Sequence, residues 1–165
     1  MRLLFILWVA VMRADFINPF LHAMVNVLRT MCDLQPQVGK SILKEDNIAR
    51  GVVTGFIDLM GEKTSGSMAI SFTEPVAIDL VERMLGERPT KINATVEDLI
   101  GEITNMVSGG AKKILSEEGY NFYLSQPVTF VGEGHKILHS VYGPKILIPF
   151  HVESGDFVVE VCFRD

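Results

Sequence analysis

The sequence predicts an α+β fold, a largely antiparallel β-sheet packed with two long helices and built from two halves that echo each other. Three observations lead there. Apolar residues recur at helical spacing in two separate stretches. Runs rich in β-branched and aromatic residues are joined by the short polar turns "EKTS" and "ESG", which marks hairpins and hence antiparallel pairing. Each half also reads as helix, strand, then hairpin, so the helices are left to cover the sheet. A chain of 165 residues suits one domain with a sizeable core.

The first eleven residues, "MRLLFILWVAV", are one Arg in an unbroken apolar run, too short to span a bilayer and close to a signal-peptide core. "VMRAD" is a poor cleavage site, and Met12 makes a natural second start. Residues 1–11 are therefore read as a leader or over-extended start, and 12–165 as the single domain. Asn18 and Pro19 suit an N-cap and first turn, with Phe20, Met24, Val27 and Met31 following at helical spacing to about Asp33. Strands are expected in "KSILK", "GVVTGFIDLMG" and "GSMAISFT". Thr73 then caps a short helix that Gly86 ends, and Thr95 caps the second long helix. "QPVTFVG", "KILIPFHV" and "DFVVEVCF" complete the strands. Ser65-Gly66 answers Ser154-Gly155, and Asp15-x-x-Asn18 answers Glu102-x-x-Asn105.

The net charge of −5 and pI near 5.4 argue against a nucleic-acid partner, which clustered Lys and Arg would grip. Cys32 and Cys162 form no Cys-x-x-Cys pair and read as buried small hydrophobes in a reducing compartment. The glycosylation sequon Asn93-Ala94-Thr95 matters only for a secreted glycoprotein, a remote alternative. "VGKS" fails as a phosphate loop because Leu34 stands where that motif needs glycine. His135 and His139 are four apart in a strand-like region, a spacing that shares a face only on a helix, so no metal site is expected there. "VGEGH" reads as a turn, and nothing resembles a Ser/His/Asp or Cys/His nucleophile arrangement.

The helix "EDLIGEITNMVSGGAKKILSEEG" holds the chemistry. Leu99, Ile103, Met106 and Ile114 form its core stripe, and on the opposite side Asp98, Glu102, Asn105 and Gly109 stack in one polar file. Glycine within a helix costs about 0.5–1 kcal/mol relative to alanine, so Gly109 is a notch the fold does not require. It would let another backbone approach the Asn105 carboxamide. Gly110 points to the core side and permits close packing. Glu118-x-x-Asn121 repeats the Glu-x-x-Asn pattern but straddles Gly119 at the helix end, and should not share a face.

This helix, with Asp98-x-x-x-Glu102-x-x-Asn105 and Pro127 about twenty residues on, resembles the CheC/CheX/FliY phosphatases of bacterial chemotaxis and is most similar to CheX. "INPFLHAM", "GSMAISFTEPVAIDLVERMLGE", "GEITNMVSGGAKKILSEEGY" and "VTFVGEGH" carry the likeness over nearly the whole chain from Met12. The resemblance implies a CheC-like fold and a cytoplasmic phosphatase that hydrolyses the aspartyl phosphate of a CheY-like receiver. It implies that Asn105 orients the attacking water, that Glu102 pairs with a receiver Lys, and that Asp98 and Gly109 border the contact. It further implies a homodimer, with no cofactor of its own and Mg²⁺ supplied by the receiver. Pro19 should push Asn18 out of the helix, so Asp15 and Asn18 should not form a second site. The rival reading is a module that binds a receiver or a flagellar-switch partner without hydrolysis.

Overall fold

The structure, a computed structural model, describes the backbone of residues 2–164 and the side chains of Leu3 and of residues 15–164. Helix α1 (Arg2–Cys32) is followed by two short strands, β1 (Gln37–Val38) and β2 (Ile42–Lys44). Next come the hairpin β3 (Val53–Gly61) and β4 (Gly66–Phe72), then α2 (Glu74–Leu85). The second half comprises α3 (Ala94–Glu117), β5 (Phe122–Leu124), β6 (Val128–Val131), and the hairpin β7 (Lys145–Val152) and β8 (Gly155–Phe163).

One eight-stranded sheet runs β1-β7-β8-β4-β3-β5, with β2 beside β1 on β7 and β6 beside β5 on β3. Every one of these pairs is antiparallel. The two hairpins meet at β4 and β8, where Ile70 pairs with Val159. The duplication is an interlocked one: β1 and β2 follow α1 but pair with the second half's β7, while β5 and β6 follow α3 but pair with β3 of the first half.

Alternate residues of each strand face the helices, because strand side chains switch faces with a period of two. Val53, Ile57 and Leu59 of β3, Met68, Ile70 and Phe72 of β4, and Phe157, Val159 and Val161 of β8 bury against Phe20, Met24 and Leu28 of α1 and Ile100, Ile103 and Val107 of α3. The opposite sheet face is covered in part by residues 132–144, whose Ile137 packs in a small second cluster with Ala49, Phe56 and Ala69.

Two element starts differ from expectation. Helix α1 begins at Arg2, so Pro19 lies inside it and Asn18 is not its cap. An interior proline costs about 3 kcal/mol through a lost hydrogen bond and a clash. Packing on both sides offsets this: Ile17 and Phe20 are buried, and the Phe16 ring lies 4.8 Å from both Tyr120 and Phe163. The backbone of the apolar leader continues α1, and apart from exposed Leu3 its side chains lie outside the described residues. Helix α3 starts two residues early, with Asn93 as its cap: the Asn93 carboxamide oxygen accepts a 3.0 Å bond from the Val96 N–H. Both Asn and Thr favour this position, and starting at Asn93 carries fully buried Val96 into the first turn. Helix α2 keeps its expected frame, from N-cap Thr73 to Gly86 at φ 78°. No helix among the described residues is long and apolar enough to cross a membrane.

Candidate functional site

Helix α3 is wedged between the sheet and α1, and small residues set its seat. A Cβ built on Gly55 of β3 would stand 1.8 Å from the Thr104 hydroxyl oxygen, so the strand admits the helix only because that side chain is missing. Thr104 is fully buried, and its hydroxyl donates to the Ile100 carbonyl at 2.7 Å. On the α1 side, a Cβ on Gly110 would lie 3.1 Å from that of Ala23, which bears out the expected close-packing role. Towards β6, a Cβ on Gly101 would lie 3.9 Å from the Thr129 side chain. The buried sector is therefore broader than one stripe. Leu99 and Ile103 lie in it as expected, Met106 and Ile114 are only half-buried at its edge, and Ile100, Val107 and Ala111 form its centre.

With those contacts holding one side of the helix, the polar file faces away from the protein. Asp98, Glu102 and Asn105 are exposed, and a Cβ on Gly109 would meet nothing within 4 Å. Among the described residues, neither the Glu102 carboxylate nor the Asn105 carboxamide makes a hydrogen bond or ion pair, and only the Asn105 backbone carbonyl is engaged, by Ser108. A carboxylate and an amide one turn apart thus stand unpartnered on a rod held from three sides. Such a pair can bind a cation with one group and orient a small polar molecule with the other. Pro127 sits half-buried between β5 and β6.

Other candidates fall differently. Glu118 is the C-cap of α3, and Gly119 at φ 91° separates it from Asn121, so that pair shares no helix face, as expected. Asp15 and Asn18, by contrast, are both exposed within continuous α1, three positions apart on one helix. The geometric objection to a first-half pair is thereby removed, since Pro19 does not end the helix.

The two histidines tie residues 132–144 to the outer face of the sheet. His135 Nε2 lies 2.6 Å from the Thr54 hydroxyl and its Nδ1 2.6 Å from the Gly132 carbonyl. His139 Nδ1 lies 2.6 Å from Ser67 Oγ and its Nε2 2.5 Å from Glu160 Oε2, while Lys44 Nζ donates to Glu160 Oε1 at 2.6 Å. Burial pushes the Glu160 carboxyl up, but the hydrogen bonds from His139 and Lys44 outweigh it and hold the group below the usual range. Ser67, His139 and Glu160 do form a Ser/His/acid chain, contrary to the reading from sequence. Ser67 is fully buried and Glu160 is 1 % exposed, so no substrate can reach it, and the chain is structural. Among the described residues no group of three His, Cys, Asp or Glu could hold a metal ion. Cys32 and Cys162 are buried, as expected, and burial pushes the Cys32 thiol up to about 11.

Residues 53–151 match the family model for the chemotaxis phosphatase CheX. The chain belongs to the CheX family. Chemotaxis protein CheX from Vibrio vulnificus is 47% identical to this CheX-family chain, over 91% of it and 99% of the Vibrio protein, with a TM-score of 0.86. A CheC-like superfamily protein from Shewanella sp. PV-4 is 45% identical over 92% and 98% of the two chains, also at 0.86. A CheX from Borrelia burgdorferi, solved as a CheX–CheY–BeF3–Mg²⁺ complex, is 24% identical over 91% and 98%, at 0.78, and shares the fold. A search of the curated proteins found no match. For this CheX-family chain, the Asn93 cap, the Gly55–Thr104 seat and the buried Ser67–His139–Glu160 chain were features that sequence reading missed. Gly55, the glycine inside the alternating β3 pattern, was the available signal for the second of these.

Proposed function

We propose that this CheX-family protein hydrolyses the aspartyl phosphate of a CheY-like receiver domain in the cytoplasm. The observation that carries the reading is the exposed, unpartnered pair Glu102 and Asn105 on a helix anchored from three sides. The Borrelia relative, whose complex contains CheY and Mg²⁺, supports the partner class.

An acyl phosphate already has a good leaving group, so phosphoryl transfer depends mainly on positioning and electrostatics. In this reading the receiver brings the phosphorylated Asp, its Mg²⁺ and a Lys. Glu102 pairs with that Lys and sets the docking register. The Asn105 carboxamide enters the receiver's site, accepts a hydrogen bond from a water and holds it in line with phosphorus. The water oxygen bonds to phosphorus as the bond to the Asp carboxylate oxygen breaks. The carboxylate leaves with the electron pair, and the inorganic phosphate takes the water's protons. Asp98 and Gly109 border the contact. The working form in this proposal is a homodimer, and the chain needs no cofactor of its own.

The test follows phosphate release from receivers charged by a small-molecule phosphodonor. Asn105→Ala should lose acceleration by about 100-fold, the scale for removing one positioned polar group, while receiver binding persists. Glu102→Ala should weaken binding as well as rate. Unchanged receiver lifetime in Asn105→Ala would instead favour the receiver-binding or flagellar-switch module.

A further inference from the structure

We propose that the groove between α1 and α3 is a second part of the docking surface and receives an acidic segment of the receiver's surface. This rests on the receiver-phosphatase reading above. The groove encloses about 590 Å³ and starts at Gly110, the residue after the Gly109 notch. Leu21, Val25 and Ile114 give it an apolar floor, and Arg29 of α1 and Lys113 of α3 stand on its lips.

Charge selects the occupant. Arg50, Arg83 and Arg88 each pair with a carboxylate of this chain. Arg29 meets only the Asn26 carboxamide, at 3.2 Å, and among the described residues neither Arg29 nor Lys113 forms an ion pair. In a chain of net charge −5, two cations that line one groove and pair with none of its carboxylates suit an acidic partner. Glu117 lies on the same groove one turn beyond Lys113 and forms no ion pair with it; Lys ahead of Glu is the weaker order on a helix. The exposed side of α3 therefore runs from acid at Asp98 and Glu102 to base at Lys113, with Asn105 and the notch between. A partner that offers a lysine to one end matches the other with carboxylates.

Size points the same way. A specific protein contact buries roughly 800 Å² on each partner, far more than three exposed side chains of one file can supply. Lys113 lies about 12 Å along the helix from Asn105 at 1.5 Å per residue, well within the span of one domain. Another concavity, about 490 Å³ beside His151 and Asp156, opens near β1, β7 and β8 and does not adjoin the polar file.

The experiment measures steady-state phosphate release at low and moderate ionic strength for wild type, Arg29→Glu/Lys113→Glu and the milder Arg29→Gln/Lys113→Gln, each checked by thermal melting. Rim charges act mainly on association, so the reversal should raise KM by about tenfold with kcat within about twofold, and flatten the salt dependence of kcat/KM. The Gln pair should fall between, and it decides the matter if the reversal does not fold. An active wild type whose KM and salt dependence survive both pairs overturns the groove while leaving the phosphatase reading intact. A wild type that turns over no receiver removes the phosphatase reading. Binding of the beryllium-fluoride form of the receiver then decides the groove: weakening by the Glu pair supports it, and equal binding or none overturns it.

Discussion

Gly110 meets Ala23 where α3 packs on α1, a Cβ on the glycine standing 3.1 Å from that of the alanine, while its neighbour Gly109 faces open space. Adjacent glycines thus answer to different demands, one to the fold and one to whatever approaches from outside.

Gly109→Ala should therefore stabilise the protein by about 0.5–1 kcal/mol, raising Tm by about 1–4 °C, because nothing obstructs the new methyl. If the notch admits the receiver, phosphate release should fall in the same variant. Melting and turnover measured together give the answer, and an unaltered rate would take Gly109 out of the contact. Gly110→Leu should lose about 1–3 kcal/mol by forcing the helices apart.

Gly55→Ala should be more damaging than either, at about 3 kcal/mol or more, since its methyl would lie 1.8 Å from Thr104 Oγ1 and 3.2 Å from the Ile100 carbonyl. Adding Thr104→Ala removes the first clash and leaves the second. Denaturant melts should show partial rescue, and complete rescue would mean that the strand moves freely beneath the helix.

Lys44→Met leaves the Glu160 carboxylate buried with His139 alone and should lose about 3–5 kcal/mol at neutral pH. Denaturant titration checks it.

The stability profile should decline at both ends. The Glu160 carboxyl is held below its ordinary value of 4.5, so its contribution is complete above that pH and is lost as pH falls below it. The Cys32 thiol is raised from 9.0 to about 11, so the unfolded chain ionises first and stability drains as pH rises through that interval. Melting temperature against pH reads both, and Cys32→Ala should flatten only the alkaline limb.

Asn105→Ala should abolish nearly all acceleration if one pair serves each chain. Asp15 and Asn18 share continuous α1, so their contribution is open to the same assay. Retention of about half the activity, removed only by adding Asn18→Ala, would show that the first half works too.

Much of this protein was legible in its local pattern. Helical periodicity placed Asp98, Glu102 and Asn105 on one solvent face of α3, and alternation with polar turns marked the hairpins β3–β4 and β7–β8, because both periods are properties of a few successive residues. Tertiary structure decided what lies between distant residues. Packing of Phe16 and Phe20 carried α1 through Pro19, where local chemistry alone would have begun the helix. Exchange of short strands between the halves interlocked the sheet. Ser67, His139, Glu160 and Lys44 became one buried chain only once β2, β4, β8 and residues 132–144 had met. A sequence period reports which side of an element faces inward, and what waits there is settled by elements that the chain brings from far away.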